Sequence, residues 1–125
     1  MENQVVAQLT VGTVSGYNHD NSKAWSLAAF TTWLQEVMDE YSYNDSKKYI
    51  SWLVFPAKAV YKKEWGSPIS GEDVFAMQAS YTEYDKDTSI DDWINNVKDC
   101  AAEIKSRLQQ STVRLQFTES KVIIL

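Results

Sequence analysis

Few side chains of this 125-residue sequence could carry out acid–base or nucleophilic chemistry. His19 is the only histidine, and it lies in the polar segment Tyr17-Asn18-His19-Asp20, where the carboxylate of Asp20 could orient the imidazole. A hydrolase or transferase also needs a nucleophile and a group that stabilises developing charge, and the sequence shows no such set. The simpler interpretation is that His19 is a solvated loop histidine. His19 is therefore the one catalytic candidate, and no partner residues for catalysis accompany it.

The single cysteine, Cys100, falls on the apolar positions of a predicted helix. Buried cysteines are mostly unreactive small hydrophobic residues, so we expect no catalytic thiol. One cysteine excludes an intrachain disulfide, and this favours a reducing compartment. The start of the chain lacks the features of a signal peptide, and no apolar run reaches the ~18 residues of a membrane span. These features predict a cytoplasmic protein without membrane contact.

One short segment copies part of a calcium-binding loop. Asp85, Asp87 and Ser89 match the first three ligand positions of such a loop. Ile90 stands where a glycine should permit the sharp turn, and Asn96 stands where a bidentate glutamate should close the site. We therefore interpret the three residues as capping and solvating groups. Since the glycines also form no phosphate-binding pattern, the sequence predicts neither a metal nor another cofactor.

Aromatic residues are abundant, with five Trp, seven Tyr and four Phe. Such rings build interfaces and line ligand pockets because they bury much apolar area, and Trp and Tyr also keep a polar group at the edge of the ring. Those at helical spacing are assigned to the core. The ligand-binding prediction rests on the aromatic residues that flank a predicted hairpin, which are Tyr61, Trp65, Tyr81 and Tyr84. Five scattered cations could add recognition of an anionic, nucleotide-like ligand, although so thin a scatter is usually a solvated face. They are Lys47, Lys48, Lys62, Lys63 and Arg114.

The charge balance limits the class of partner. The chain has 12 Lys and Arg against 17 Asp and Glu, for a net charge of −5. Affinity for nucleic acid comes largely from basic residues that displace counterions, so we expect no direct binding to nucleic acid. An acidic surface instead permits a protein inhibitor that presents carboxylates to a basic site, either as a nucleic-acid mimic or against a defence protein.

The elements that must position these residues follow from hydrophobic periodicity. The order is strand, helix, strand, strand, helix, strand, with a short extra strand at the C-terminus. The first helix is expected to begin at Asn21 or Ser22, the second at a cap formed by Ser89, and a turn is expected at Thr118-Glu119-Ser120. This order predicts one α+β domain over residues 1–125. Its class is ferredoxin-like split βαβ, an antiparallel sheet with two helices on one face.

The strand around Pro56 is apolar on both faces, although helices should cover only one. We place Trp52 and Val54 on the uncovered face, where they continue a set with Val6 and Val74. Water-exposed patches of this size are rare on monomers, so something should cover them. The C-terminal tail 122–125 could fold back over the face, but we favour a second subunit and hence a homo-oligomer.

No segment resembles the motif of a known family, and the fold alone does not choose a function. The predicted function is a non-enzymatic homo-oligomeric module that binds a small molecule or a protein partner through aromatic residues. An acidic protein inhibitor is one alternative. A small enzyme that uses His19 as a general base is the other alternative. Because the sequence shows no nucleophile or charge-stabilising group to accompany His19, we favour a binding function over a catalytic one.

Overall fold

The computed structural model describes residues 2–14, 21–82, 85–123 and 125. His19, the catalytic candidate, and Tyr84, one of the predicted ligand contacts, lie outside these residues. The strands are β1 (Glu2–Gly12), β2 (Leu53–Ala59), β3 (Glu72–Ser80) and β4 (Arg114–Val122), and the helices are α1 (Leu27–Tyr41) and α2 (Ile90–Arg107). Single turns of 3-10 helix occur at Asn21–Lys23, Ser46–Lys48 and Lys63–Trp65.

The four strands form one antiparallel sheet in the order β2-β3-β1-β4. Both helices pack on the same face of it, since the buried core joins one parity of the strands to residues of α1 and α2. Leu9 and Met77 supply the sheet side of this core, and Phe30 and Ile104 supply the helix side. The arrangement confirms the predicted ferredoxin-like α+β fold. Neither helix of the described residues has the length and apolar character needed to cross a bilayer.

The two helix starts differ in how well the sequence predicts them. Helix α2 begins as expected, with the Ser89 hydroxyl accepting the backbone N–H of Asp92 at 3.1 Å. Helix α1 begins later than expected, because its cap is Ser26, whose hydroxyl accepts the N–H of Ala29 at 3.1 Å. A single 3-10 turn occupies the predicted start, and the N–H of Trp25 donates to the Thr13 hydroxyl instead of entering the helix.

The C-terminal region forms one strand instead of two. The expected turn at Thr118-Glu119-Ser120 is wrong, since these residues pair with Val6, Val5 and Gln4 of β1. Strand β1 has 11 residues, long enough to pair with the whole of β4, and this pairing outweighs the local turn preference of the three residues. The less favoured alternative, a tail folded back over the sheet, is not seen at Ile123 and Leu125, which are exposed to solvent.

The sheet face that carries no helix is called the open face. On edge strand β2, Val54 pairs with the buried Met77 and packs against the core, so the expected placement of Trp52 and Val54 on the open face is wrong. Their neighbours Leu53 and Phe55 lie there instead, 58% and 45% exposed. Because β2 has apolar residues at both odd and even positions, its sequence did not show which set faces the helices. The pairing of β2 with β3 shows it. The register places on the open face Val6, Gln8, Thr10, Gly12, Leu53, Phe55, Glu72, Val74, Ala76, Gln78, Arg114, Gln116 and Thr118.

Replacement of Gly71, at the turn between β2 and β3, should destabilise the fold. Its φ is +84°, and an added Cβ would lie 3.0 Å from the backbone oxygen of Ala59, which cannot move without disturbing β2. We expect Gly71→Ala to lower the free energy of unfolding by about 1–2 kcal/mol, measured by denaturant titration.

Gly12→Ala is the matched control. At Gly12 the φ is outside the left-handed region, and an added Cβ would meet only side-chain atoms of Gln110 and Glu72, which need to shift by a few tenths of an ångström at most. A loss at Gly12 as large as that at Gly71 would contradict this account.

Candidate functional site

A cleft of about 380 Å³ lies at the end of the open face where β1 and β2 end and where β3 and β4 begin. Its volume falls within the range of small-molecule sites. Glu72 and Arg114 bring charge to this open-face cleft, Gln110 and Tyr61 bring polar groups, and Val74 adds an apolar surface. A carboxylate, a guanidinium, an amide and a phenol therefore converge on one cavity.

The strand order explains why residues distant in sequence meet here. In the antiparallel sheet the last residue of β1 and the first residues of β3 and β4 lie at the same end. Gly12 pairs with Val74 of β3, and its neighbour Thr10 pairs with Arg114 of β4. Glu72 lies two residues before Val74, so its side chain is on the same face of the sheet.

The fourth group comes from the segment that joins α2 to β4. Helix α2 is followed by Leu108 as its C-cap and by Gln109, whose φ of 55° is left-handed and turns the chain back towards the sheet. The Nε2 group of Gln110 then donates to the backbone oxygen of Val14 at 3.0 Å, which joins this segment to the residues after β1. This hydrogen bond fixes the direction of the Gln110 amide.

Gly12 lies where the side chains of Glu72 and Gln110 approach each other. An ideal Cβ at Gly12 would lie 3.0 Å from Gln110 Oε1 and 3.4 Å from Glu72 Oε1. Both oxygens thus approach one point above a residue without a side chain, and both accept hydrogen bonds. Arg114 lines the same cavity with an obligate positive charge. The arrangement suits a ligand that has a cationic hydrogen-bond donor and a carboxylate close together.

A larger cleft, of about 530 Å³, lies at the opposite end of β2 and β3, between Trp52, Gln78 and Trp93. Its carboxylate belongs to Asp85, whose Oδ2 accepts the backbone N–H of Thr82 at 2.9 Å and the Thr82 hydroxyl at 3.2 Å. Asp85 therefore has the capping role that we expected for it. The open-face cleft is the better candidate, since charges of both signs line it.

The structure places the predicted ligand contacts at different ends of the sheet. Tyr61 follows β2 and lines the open-face cleft. Trp65 lies four residues after Tyr61 and is 61% exposed. The ammonium of Lys62 is 5.1 Å from the centroid of the Trp65 ring. Tyr81 follows the other end of β3, where its hydroxyl donates to the backbone oxygen of Thr88 at 2.5 Å. Strand β3 spans roughly 30 Å, so Tyr61 and Tyr81 are not brought together.

Sequence reasoning did not single out Gly12, Glu72 or Gln110, and it treated Arg114 only as one of several scattered cations. A signal was available for three of them. Once the strand order is βαββαβ, residues of equal parity at the end of the first strand and the start of the third and last strands must meet at one corner. Gln110 carried no such signal, because its position depends on the left-handed turn at Gln109.

The Cys100 thiol should be unreactive in the folded protein. It is 1% exposed, its Sγ lies 3.4 Å from Sδ of Met38, and burial raises the pKa of the thiol to about 12. Since the thiolate is the reactive form, we expect negligible alkylation by iodoacetamide at pH 8 and rapid alkylation after unfolding in urea. Rapid labelling of the native protein, followed by intact mass, would show that Cys100 is accessible.

The fold defines an α+β domain of the ferredoxin-like class, with a cleft lined by charges of both signs at one end of its open face. A family model described as SAM lyase matches residues 6–125. The chain therefore belongs to the SAM lyase family.

Two solved structures are similar to this chain over most of its length. A phage SAM lyase in the apo state has 13% sequence identity and a TM-score of 0.55, with 92% of this chain and 79% of that chain covered. A phage SAM lyase in complex with S-methyl-5′-thioadenosine has 14% identity and a TM-score of 0.53, with coverage of 93% and 81%. At these identities the likeness shows the fold alone. No curated protein matches the sequence.

The family assignment corrects the function expected from the sequence. The predicted non-enzymatic interaction module of unknown function is wrong, because the family is one of enzymes that act on S-adenosylmethionine. The acidic inhibitor is set aside on the same ground. A small-molecule ligand, one of the predicted partner classes, agrees with the complex of the phage enzyme with a nucleoside.

Proposed function

We propose that this protein is a lyase that cleaves S-adenosylmethionine and releases S-methyl-5′-thioadenosine. The observation that carries the proposal is the family match over residues 6–125. The complex of the phage SAM lyase with S-methyl-5′-thioadenosine supports the identity of the released nucleoside. The proposal assigns the reaction to the open-face cleft and to the cytoplasm, the compartment favoured by a single buried cysteine.

The two nucleosides identify the bond that breaks. In S-adenosylmethionine the sulfonium is bonded to a methyl group, to C5′ of the ribose and to Cγ of an aminobutyrate. S-methyl-5′-thioadenosine keeps the first two bonds, so the bond between sulfur and Cγ breaks and its electron pair remains on sulfur. Without water, the aminobutyrate completes its valence by closing its own carboxylate oxygen onto Cγ, which forms a lactone and transfers no proton. The sulfonium is a good leaving group and the substrate supplies its own nucleophile, so this route needs no nucleophile from the protein.

The residues of the cleft match the parts of this substrate. Glu72 and Gln110 offer oxygen acceptors to the ammonium of the aminobutyrate, and Arg114 offers a guanidinium to its carboxylate. Tyr61 supplies an aromatic ring for the flat base of the nucleoside. Since ammonium and carboxylate are attached to the same carbon, a single cleft with acceptors and a guanidinium can hold both.

The charge of Glu72 should assist binding and orientation. Positive charge leaves the sulfur as its bond to Cγ breaks, so a carboxylate placed against the sulfonium would stabilise the substrate more than the transition state. A carboxylate directed at the ammonium keeps its attraction unchanged throughout the reaction. This role holds the aminobutyrate in the conformation that reacts.

The wild-type protein should convert S-adenosylmethionine to S-methyl-5′-thioadenosine, followed by liquid chromatography and mass spectrometry. Glu72→Gln should lower kcat/KM about 10- to 100-fold, because a charge-assisted hydrogen bond contributes about 1.5–3 kcal/mol. Asp73→Asn is the matched control: it removes one carboxylate from the adjacent residue, which pairs with Lys58 and does not line the cleft. No conversion by the wild-type protein, or equal losses in both variants, would contradict the proposal.

The proposal also includes a homo-oligomer formed through the open face. Leu53 and Phe55 are exposed there, and Phe55 pairs with Ala76 of the neighbouring strand β3. Water-exposed aromatic and aliphatic side chains in one group favour contact with a second copy of the chain. The rest of the face is rich in uncharged polar side chains, which can pair across such an interface.

Native mass spectrometry should therefore give a multiple of the 14.3 kDa chain. Phe55→Lys should shift the assembly towards the monomer, because it places a charge in the interface. Ile69→Lys is the control, since Ile69 is 95% exposed in the segment between β2 and β3 and lies off the open face. A wild-type monomer at micromolar concentration would refute the oligomer.

A further inference from the structure

The amide of Gln110 has a fixed orientation in the open-face cleft. Its Nε2 donates to the backbone oxygen of Val14 at 3.0 Å, and the bond is partly buried. An amide whose nitrogen is held in this way presents its oxygen on the opposite side, and Oε1 of Gln110 lies over Gly12. The acceptor is thus positioned before any ligand binds.

Glu72 provides the second acceptor at the same point. Glu72 Oε1 is 3.4 Å and Gln110 Oε1 is 3.0 Å from the position of a Cβ at Gly12, so the two oxygens are separated by no more than the sum of these distances. An ammonium has three N–H donors and can bond to both oxygens at once, whereas a sulfonium has no N–H to donate.

We propose that Gln110 is a specificity-determining residue that accepts a hydrogen bond from the α-ammonium of the aminobutyrate together with Glu72. This inference rests on the proposed function and deepens it. It assigns to Gln110, an uncharged residue outside the strands, the preference for nucleosides that carry an amino acid. The product S-methyl-5′-thioadenosine lacks the aminobutyrate and is therefore bound without this contact.

The test uses two ligands that differ in the aminobutyrate. S-adenosylhomocysteine keeps the ammonium, lacks the sulfonium charge and is therefore a poor substrate for cleavage. Isothermal titration calorimetry with the full chain should show that Gln110→Ala weakens S-adenosylhomocysteine binding about tenfold and changes S-methyl-5′-thioadenosine binding less than about twofold. The kcat/KM for S-adenosylmethionine should fall by a similar factor.

A second variant separates recognition from folding. Gln35→Ala is the matched control, since Gln35 is an exposed glutamine of α1 and does not line the cleft. Equal weakening of both ligands by Gln110→Ala would indicate a structural role and overturn the inference, and so would behaviour identical to that of Gln35→Ala.

Failure of the proposed function gives a different result. A wild-type protein that neither cleaves S-adenosylmethionine nor binds S-methyl-5′-thioadenosine would refute the lyase assignment and this inference together. A wild-type protein that cleaves S-adenosylmethionine, with an unaffected Gln110→Ala variant, would refute only the role of Gln110.

Discussion

The pairing of β1 with both of its neighbours is the interaction on which the rest of the molecule depends. Strand β1 lies inside the sheet, with β3 on one side and β4 on the other. Its register therefore decides which parity of all three strands faces the helices, and a slip of one residue would turn the core side chains towards the open face. The same register places Gly12 beside Val74, at the corner where the open-face cleft forms.

The sequence predicted well the features that depend on local periodicity. Helix α2 repeats its apolar residues with a helical period and begins at a serine cap, so its type and start follow from residues close together in the chain. Features that depend on pairing were predicted less well. Strand β2 is apolar on both parities, and the continuation of β4 past Thr118 depends on the length of β1, which local sequence does not reveal. The cleft was missed for the same reason, since its parts meet only after strand order and register are set.

The expectation of a protein without catalytic activity shows a limit of searching for catalytic constellations. Nucleophiles, bases and metal ligands are the groups that define such constellations. On this basis we assigned structural roles to Cys100 and to the segment from Asp85 to Ser89. The buried thiol and the capping carboxylate have those roles in the structure. A substrate that carries its own leaving group asks different things of a protein. It needs a shaped cleft with charges at the correct places. The proposed site has a carboxylate and a guanidinium at strand ends and an amide from the segment after α2, and these residues form no recognisable sequence motif.

Pro56 affects how copies of this chain can associate. It lies within β2, an edge strand whose inner side pairs with β3. Proline has no backbone N–H, so the outer edge cannot offer an unbroken row of donors to another strand. Lateral growth of the sheet from chain to chain, the route to fibrous aggregates, is thereby discouraged at this edge. The proposed association would instead use side chains on the open face, where geometry limits the number of subunits.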